Sequence, residues 1–187
     1  VKISYQKKKP AGMQFRFNHE GSQLPMGVYG ALGMPRVYAA LAALAVADVL
    51  GIDSVSAGQS LERWEPPPGR MRLIDGIRGS VIIDDTYNSA PVAALAALDT
   101  LKEVNANRRI AMMGDMLELG RYTAEAHREV GKHAASTTEY LVTVGIRSRA
   151  MADSALDGGL PDMSIKQYEN GESRRAGAEL APDVQEG

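Results

Sequence analysis

A chain of 187 residues is long enough for one good hydrophobic core or two modest ones. Hydrophobic residues at 44% and charged residues at 24% are ordinary for a soluble globular protein, and a formal net charge of -2 gives no basic footprint for a nucleic-acid partner. The absence of cysteine excludes a disulfide scaffold and any cysteine-based metal or nucleophile site, and it fits a reducing cytoplasm.

In chain order, residues 1–10 are polar and lack the apolar stretch of a signal peptide. Lys7, Lys8 and Lys9 read as a solvated charge run. Met13-Gln14-Phe15-Arg16-Phe17 alternates apolar and polar side chains, which predicts a half-buried strand. Turn chemistry at 18–21 and a hairpin partner through about Val28 follow. Pro35 suits a first helical turn, residues 37–50 are rich in Ala and Leu, and Gly51 is a helix stop. Apolar residues cover nearly the whole surface of this helix, so it is expected to be buried on most sides. Interrupted by Asp48, it is too short to span a bilayer, which takes roughly 20 residues. A shorter helix is predicted over 55–61.

Glu65-Pro66-Pro67-Pro68-Gly69 cannot continue a helix and marks a domain boundary. Beyond it, strands are predicted at 81–83, 109–113, 140–144 and 164–168, with helices at 91–104, 123–136 and 147–155. This alternation implies an α/β fold with a parallel sheet and right-handed crossovers. Ligands of such sheets bind beyond the carboxyl ends of the strands. That rule selects the loops Asp84-Asp85-Thr86-Tyr87-Asn88 and Gly114-Asp115-Met116-Leu117-Glu118-Leu119-Gly120, expected on one sheet edge.

Each candidate also has a plain structural explanation. Asp84 and Asp85 are adjacent, so on extended backbone they face opposite ways, and one of them can simply cap a turn. Asp115 and Glu118 have the spacing of a capping box at a helix start. His19, His127 and His133 are scattered and fit surface or packing roles. Arg70, directly after the proline run, either offers a planar fork to phosphate or makes an ordinary salt bridge.

Gly69-Arg70-Met71, Ile82-Ile83-Asp84-Asp85-Thr86-Tyr87-Asn88 and Gly114-Asp115-Met116-Leu117-Glu118-Leu119-Gly120, in that order, resemble the Mur ligase family, in its branch that adds D-alanyl-D-alanine to a UDP-muramoyl-tripeptide. The resemblance covers roughly residues 10 to 150. It implies that 1–67 is the C-terminal part of a P-loop-type central ATP-binding domain. It also implies that 68–187 is a C-terminal Rossmann-like domain, with the chain truncated on both sides. The implied activity is ATP-dependent ligation through an acyl phosphate, in the cytoplasm. The implied partners are UDP-N-acetylmuramoyl-tripeptide and D-alanyl-D-alanine, with ATP and Mg2+ as cofactors, the magnesium ligands lying outside this chain. No nucleic acid, no membrane and a monomeric state are expected.

By the same resemblance, Arg70 contacts the ATP phosphates and Asp85 the ribose. Thr86, Tyr87 and Asn88 line the nucleotide and substrate cleft, and Asp115 and Glu118 shape the loop. None is a covalent nucleophile. The Gly-Lys-Thr phosphate loop of the family does not occur here, so these residues alone are expected to be inactive. Where the family carries His-Asn-x-x-Asn, this chain has Pro35, Arg36 and Ala39. That departure keeps open a non-catalytic nucleotide- or partner-binding module, or another Mur or folylpolyglutamate-type ligase.

Overall fold

The computed structural model describes residues 2–4, as backbone only, and 11–184. The charge run at Lys7, Lys8 and Lys9 lies outside them. The chain forms two compact units: 1–74 with 82–86, and 75–81 with 87–187.

In the first unit, β1 (Lys2–Ser4), β2 (Gly12–His19) and β3 (Ser22–Tyr29) make an antiparallel sheet in that order. The turn at Glu20 and Gly21 brings Phe15 opposite Met26 and Met13 opposite Val28, and all four side chains are buried. One apolar face of the predicted hairpin therefore supplies core, as period-two alternation requires. Helix α1 (Met34–Val49) starts with Pro35 in its first turn and gives way to the left-handed Gly51. Helix α2 (Ser54–Glu62) is capped by Asp53, whose Oδ1 accepts the N–H groups of Val55 and Ser56 at 3.1 and 2.9 Å.

The expectation that α1 is buried on most sides is not met. Only Val37, Ala40 and Leu44 are buried, while Tyr38, Val46 and Val49 are 65%, 59% and 85% exposed. The buried positions recur at three and four residues, so a single stripe docks within the unit. The remaining apolar side chains have no neighbour among the described residues of that unit to cover them.

A strand not foreseen in the sequence, β4 (Arg72–Asp75), pairs with β5 (Val81–Asp84) across the turn Ile77–Gly79. Its start is held by an isolated bridge between Ala31 and Arg72, with Leu73 N–H donating to Gly30 O at 2.8 Å and Leu32 N–H to Met71 O at 3.1 Å.

The second unit contains the α/β fold. Strands β6 (Ile110–Gly114), β7 (Tyr140–Val144) and β8 (Ile165–Tyr168) form a parallel sheet in that order. Helices α3 (Pro91–Glu103), α4 (Thr123–Ala134), α5 (Arg149–Asp157) and α6 (Ser173–Leu180) accompany it. The core gathers Ala94 and Leu98 of α3, Val130 and Ala134 of α4, Leu141 of β7 and Met151 and Ala155 of α5. Gly131 lets α4 and α5 approach closely, since a Cβ there would lie 2.1 Å from Met151 O. Arg78 closes the unit by donating to the carbonyls of Pro182 and Val184 at 3.1 and 2.9 Å.

The sequence placed the strand at 81–83 in the parallel sheet. It pairs with β4 instead, and the three-stranded sheet begins at β6. A five-residue connection makes β4 the nearest partner, and closing a short loop costs less entropy than a crossover. The two polar loops are therefore not on one edge of one sheet.

Candidate functional site

The first cluster is built on the segment Gly69, Arg70 and Met71. Gly69 and Met71 both have left-handed backbone, at φ 70 and 55. Such a conformation is natural for glycine and strained for methionine. Two carboxylates hold it. Gly69 N–H donates to Asp84 Oδ2 at 2.9 Å, and Met71 N–H donates to Asp85 Oδ1 at 3.1 Å. The Met71 side chain is buried and its carbonyl accepts from Leu32. Arg70 is thus bracketed on both sides by fixed peptide groups. Although adjacent, the two aspartates serve residues only two apart. Alternation does not separate their partners, because β5 ends at Asp84 and Asp85 is already loop.

The two carboxylates have opposite electrostatics. Asp84 Oδ1 accepts both the hydroxyl of Thr86, at 2.7 Å, and its N–H, at 3.2 Å. The Thr86 bond, followed by the Gly69 and Thr86 N–H groups, keeps the Asp84 carboxyl below its usual range against some burial. Burial pushes the Asp85 carboxyl up. The Met71 N–H, then the charges of Arg36 and Arg70, offset part of that rise. Arg36, in the first turn of α1, has a buried Nε with no hydrogen-bond partner among the described residues. In the sequence Arg36 stands out only as a departure from the family pattern; its approach to Asp85 is made far along the chain and leaves no local signal. Thr86 is exposed and donates to Asp84. Tyr87 and Asn88, both exposed, belong to the second unit.

The second cluster follows β6. Asp115 Oδ1 accepts the N–H groups of Arg147 and Ser148 at 3.0 and 2.8 Å, and Oδ2 lies 3.5 Å from the Arg147 guanidinium. Its carboxylate therefore caps the turn that leads into α5. Gly145 makes room for it: a Cβ there would fall 2.3 Å from Asp115 Oδ1, and φ is 127. The expected capping box is overturned, since neither the 3-10 turn Gly120–Tyr122 nor α4 has a side-chain cap. Asp115 takes its donors from Arg147 and Ser148, and Glu118, exposed and left-handed at φ 62, lies in the bend.

His127 supports the same loop from α4. Fully buried, it accepts Met116 N–H on Nε2 at 3.0 Å and pairs through Nδ1 with Thr123 O at 2.7 Å. A carbonyl partner on Nδ1 and an N–H partner on Nε2 define the neutral tautomer with its proton on Nδ1. His19 and His133 are partly exposed and face Asp48 and Asp99. Among the described residues no group of three or more His, Cys, Asp or Glu could hold a metal ion, and no helix is long and apolar enough to cross a membrane.

Residues 69–187 match the family described as Mur ligase, glutamate ligase domain. The chain belongs to the Mur ligase family. The match begins at Gly69, the first residue of the bracketed segment. A UDP-N-acetylmuramoyl-tripeptide–D-alanyl-D-alanine ligase from Synechocystis is 35% identical over 114 residues, 60% of this chain and 24% of that protein. One of the same name from Haemophilus influenzae is 38% identical over 102 residues, 54% of this chain and 22% of that protein. The chain spans about a quarter of the length of these Mur ligases. A solved UDP-N-acetylmuramoylalanyl-D-glutamyl-2,6-diaminopimelate–D-alanyl-D-alanyl ligase from Acinetobacter baumannii superposes with a TM-score of 0.73 at 26% identity, covering 92% of this chain and 36% of that one. MurF from Thermotoga maritima, solved in complex with ADP, superposes at 0.79 with 20% identity, covering 100% and 40%, a likeness of fold.

Proposed function

We propose that the chain is part of an ATP-dependent ligase that joins D-alanyl-D-alanine to UDP-N-acetylmuramoyl-tripeptide in peptidoglycan synthesis. The observation that carries this is the family match over 69–187, which opens on the segment where two carboxylates bracket Arg70. The name borne by relatives at 35% and 38% identity supplies the substrates.

In such a ligation a carboxylate oxygen of the tripeptide attacks the γ-phosphorus of ATP, and ADP leaves with the bridging oxygen. The amine nitrogen of D-alanyl-D-alanine then attacks the carbonyl carbon of the acyl phosphate. Inorganic phosphate departs with the electron pair of the broken C–O bond, and the nitrogen releases a proton. Neither step needs a covalent nucleophile from the protein. Catalysis lies in alignment and in screening of phosphoryl charge.

The proposed roles follow. Arg70 presents its guanidinium to the nucleotide phosphates, and Asp85 faces the ribose. Thr86, Tyr87 and Asn88 line the nucleotide and substrate cleft. Asp115 and Glu118 shape their loop. Two guanidinium groups, of Arg36 and Arg70, act on Asp85, and the Arg36 Nε is a buried donor without an acceptor among the described residues, so the local chemistry is compatible with an anionic ligand. No magnesium-binding cluster occurs among the described residues. In this reading residues 1–67 are the end of a central ATP-binding domain and 68–187 the C-terminal domain, in a cytoplasmic monomer.

The test is ADP release by the full-length protein. Release that requires both the muramoyl-tripeptide and D-alanyl-D-alanine is the expected result. A folded protein that binds ADP but releases none under those conditions would instead be a non-catalytic nucleotide-binding module, which the Pro35, Arg36 and Ala39 departure favours. The 187 residues by themselves are expected to show no ligation, because they contain no Gly-Lys-Thr phosphate loop.

A further inference from the structure

We propose that Asp84 is a positioning residue for Arg70, acting through the backbone of Gly69. The inference rests on the ligase reading above and extends it to a residue that has no assigned role there.

Two donors from Thr86, the hydroxyl at 2.7 Å and the N–H at 3.2 Å, both converge on Oδ1 of Asp84. That pair fixes the plane of the carboxylate and leaves Oδ2 aimed at Gly69 N–H, 2.9 Å away. A carboxylate that only closed its own turn would need Thr86 alone. This one reaches back fifteen residues in the chain to the position before Arg70.

The other side of Arg70 is held independently. Met71 has a buried side chain, an N–H on Asp85 and a carbonyl on Leu32 N–H. The Gly69 side has a left-handed glycine, the backbone most free to rotate if released. Loss of the Asp84 bond therefore frees one hinge and leaves the other in place. Arg70 would stay tethered but lose its aim. A guanidinium recognises phosphate through a planar fork, so its orientation matters as much as its charge. A misplacement of about 1 Å can cost on the order of 100-fold in rate.

The experiment compares Asp84→Ala, Asp84→Asn, Arg70→Ala and the Asp84→Ala/Arg70→Ala double variant in the full-length ligase. ADP release is measured against ATP concentration, with thermal melts run alongside. Asp84→Ala is expected to lower kcat/KM for ATP by about 10- to 100-fold. Asp84→Asn, which keeps an acceptor oxygen, is expected to recover part of that loss. The double variant is expected to be no worse than Arg70→Ala, because two residues acting through one group are not additive. Losses that multiply in the double variant, or Asp84→Ala kinetics equal to the parent's, overturn the role of Asp84 and leave the ligase assignment intact. A parent protein that releases no ADP overturns both. If Asp84→Ala does not fold, Thr86→Val removes the hydroxyl that orients the carboxylate. That variant is expected to cost about fivefold, again absent in an Arg70→Ala background.

Discussion

Met71 N–H donates to the Asp85 carboxylate at 3.1 Å, joining a strained left-handed residue to a carboxylate that burial pushes up. The bond answers two needs, since it satisfies an N–H that the turn withdraws from water and returns a donor to a half-desolvated anion. It is not free of cost. A carboxyl whose folded pKa is raised binds its proton more tightly in the folded state than in the unfolded chain. Its contribution to stability is therefore greatest at low pH and declines as pH rises from about 4 through the raised value.

Asp85→Asn tests that sign. Asparagine keeps an oxygen for Met71 N–H and carries no charge to bury. The variant is expected to melt at or above the parent temperature at neutral pH, and to lose the decline with rising pH that Asp85 contributes. Melts across about pH 4 to 8 measure this. A variant that melts lower than the parent at pH 7 and equal to it at pH 4 would mean that the ionised carboxylate stabilises the fold. Asp84 has the opposite sign. Held below its usual range, it contributes stability above about pH 4 that disappears as pH falls through its folded value.

Gly145→Ala is expected to destabilise the second unit by about 1–3 kcal/mol. The added methyl would meet Asp115 Oδ1 at 2.3 Å, at a φ of 127 that alanine rarely adopts. The displaced carboxylate would leave the N–H groups of Arg147 and Ser148. Asp115→Ala removes the same cap without the clash and is expected to cost about 1–2 kcal/mol. Chemical denaturation of both variants separates the two contributions, and a Gly145→Ala protein as stable as the parent contradicts the close fit.

His127→Ala is expected to cost about 2–4 kcal/mol, from the lost packing and from Met116 N–H and Thr123 O left buried. Amide hydrogen exchange should accelerate at Met116 in particular. His127→Phe keeps the ring but neither bond, so it should restore packing and leave that amide fast. Protection of Met116 equal to the parent's in His127→Phe would show that another group holds the loop.

Glu118→Ile is expected to destabilise by about 1–2 kcal/mol, although the side chain is exposed. A β-branched residue tolerates left-handed backbone poorly. Urea midpoints measure it, and an unchanged midpoint would mean that the bend relaxes without loss.

Most of the second unit was legible in the sequence because its signals are local. Val142 and Leu141 sit in a short apolar run, α4 alternates its faces, and β7 falls where the run predicts. Helix α6 was missed because its eight residues, from Ser173 to Leu180, carry one buried side chain, Ala176. Strand β4 was missed because Arg72-Leu73-Ile74-Asp75 carries no alternating pattern, and backbone pairing with residues 30–32 defines its start. The motif containing Asp84 and Asp85 was visible as a polar loop. Its partner was not, because the match of two carboxylates to two N–H groups is made by geometry across separations of 15 and 14 residues. The over-reading of α1 has a related cause: alanine marks a helix without saying which side meets a neighbour.

The close approach of Gly131 to Met151 has a dynamic consequence. With no space for even a methyl group, α4 and α5 cannot slide past one another without separating. His127 fastens the start of the 114–120 loop to α4, and Asp115 fastens it to the turn before α5. Loop and helices are therefore cross-braced at three points. The exposed bend at Leu117 and Glu118, whose side chains none of those braces holds, is the least constrained part of the loop.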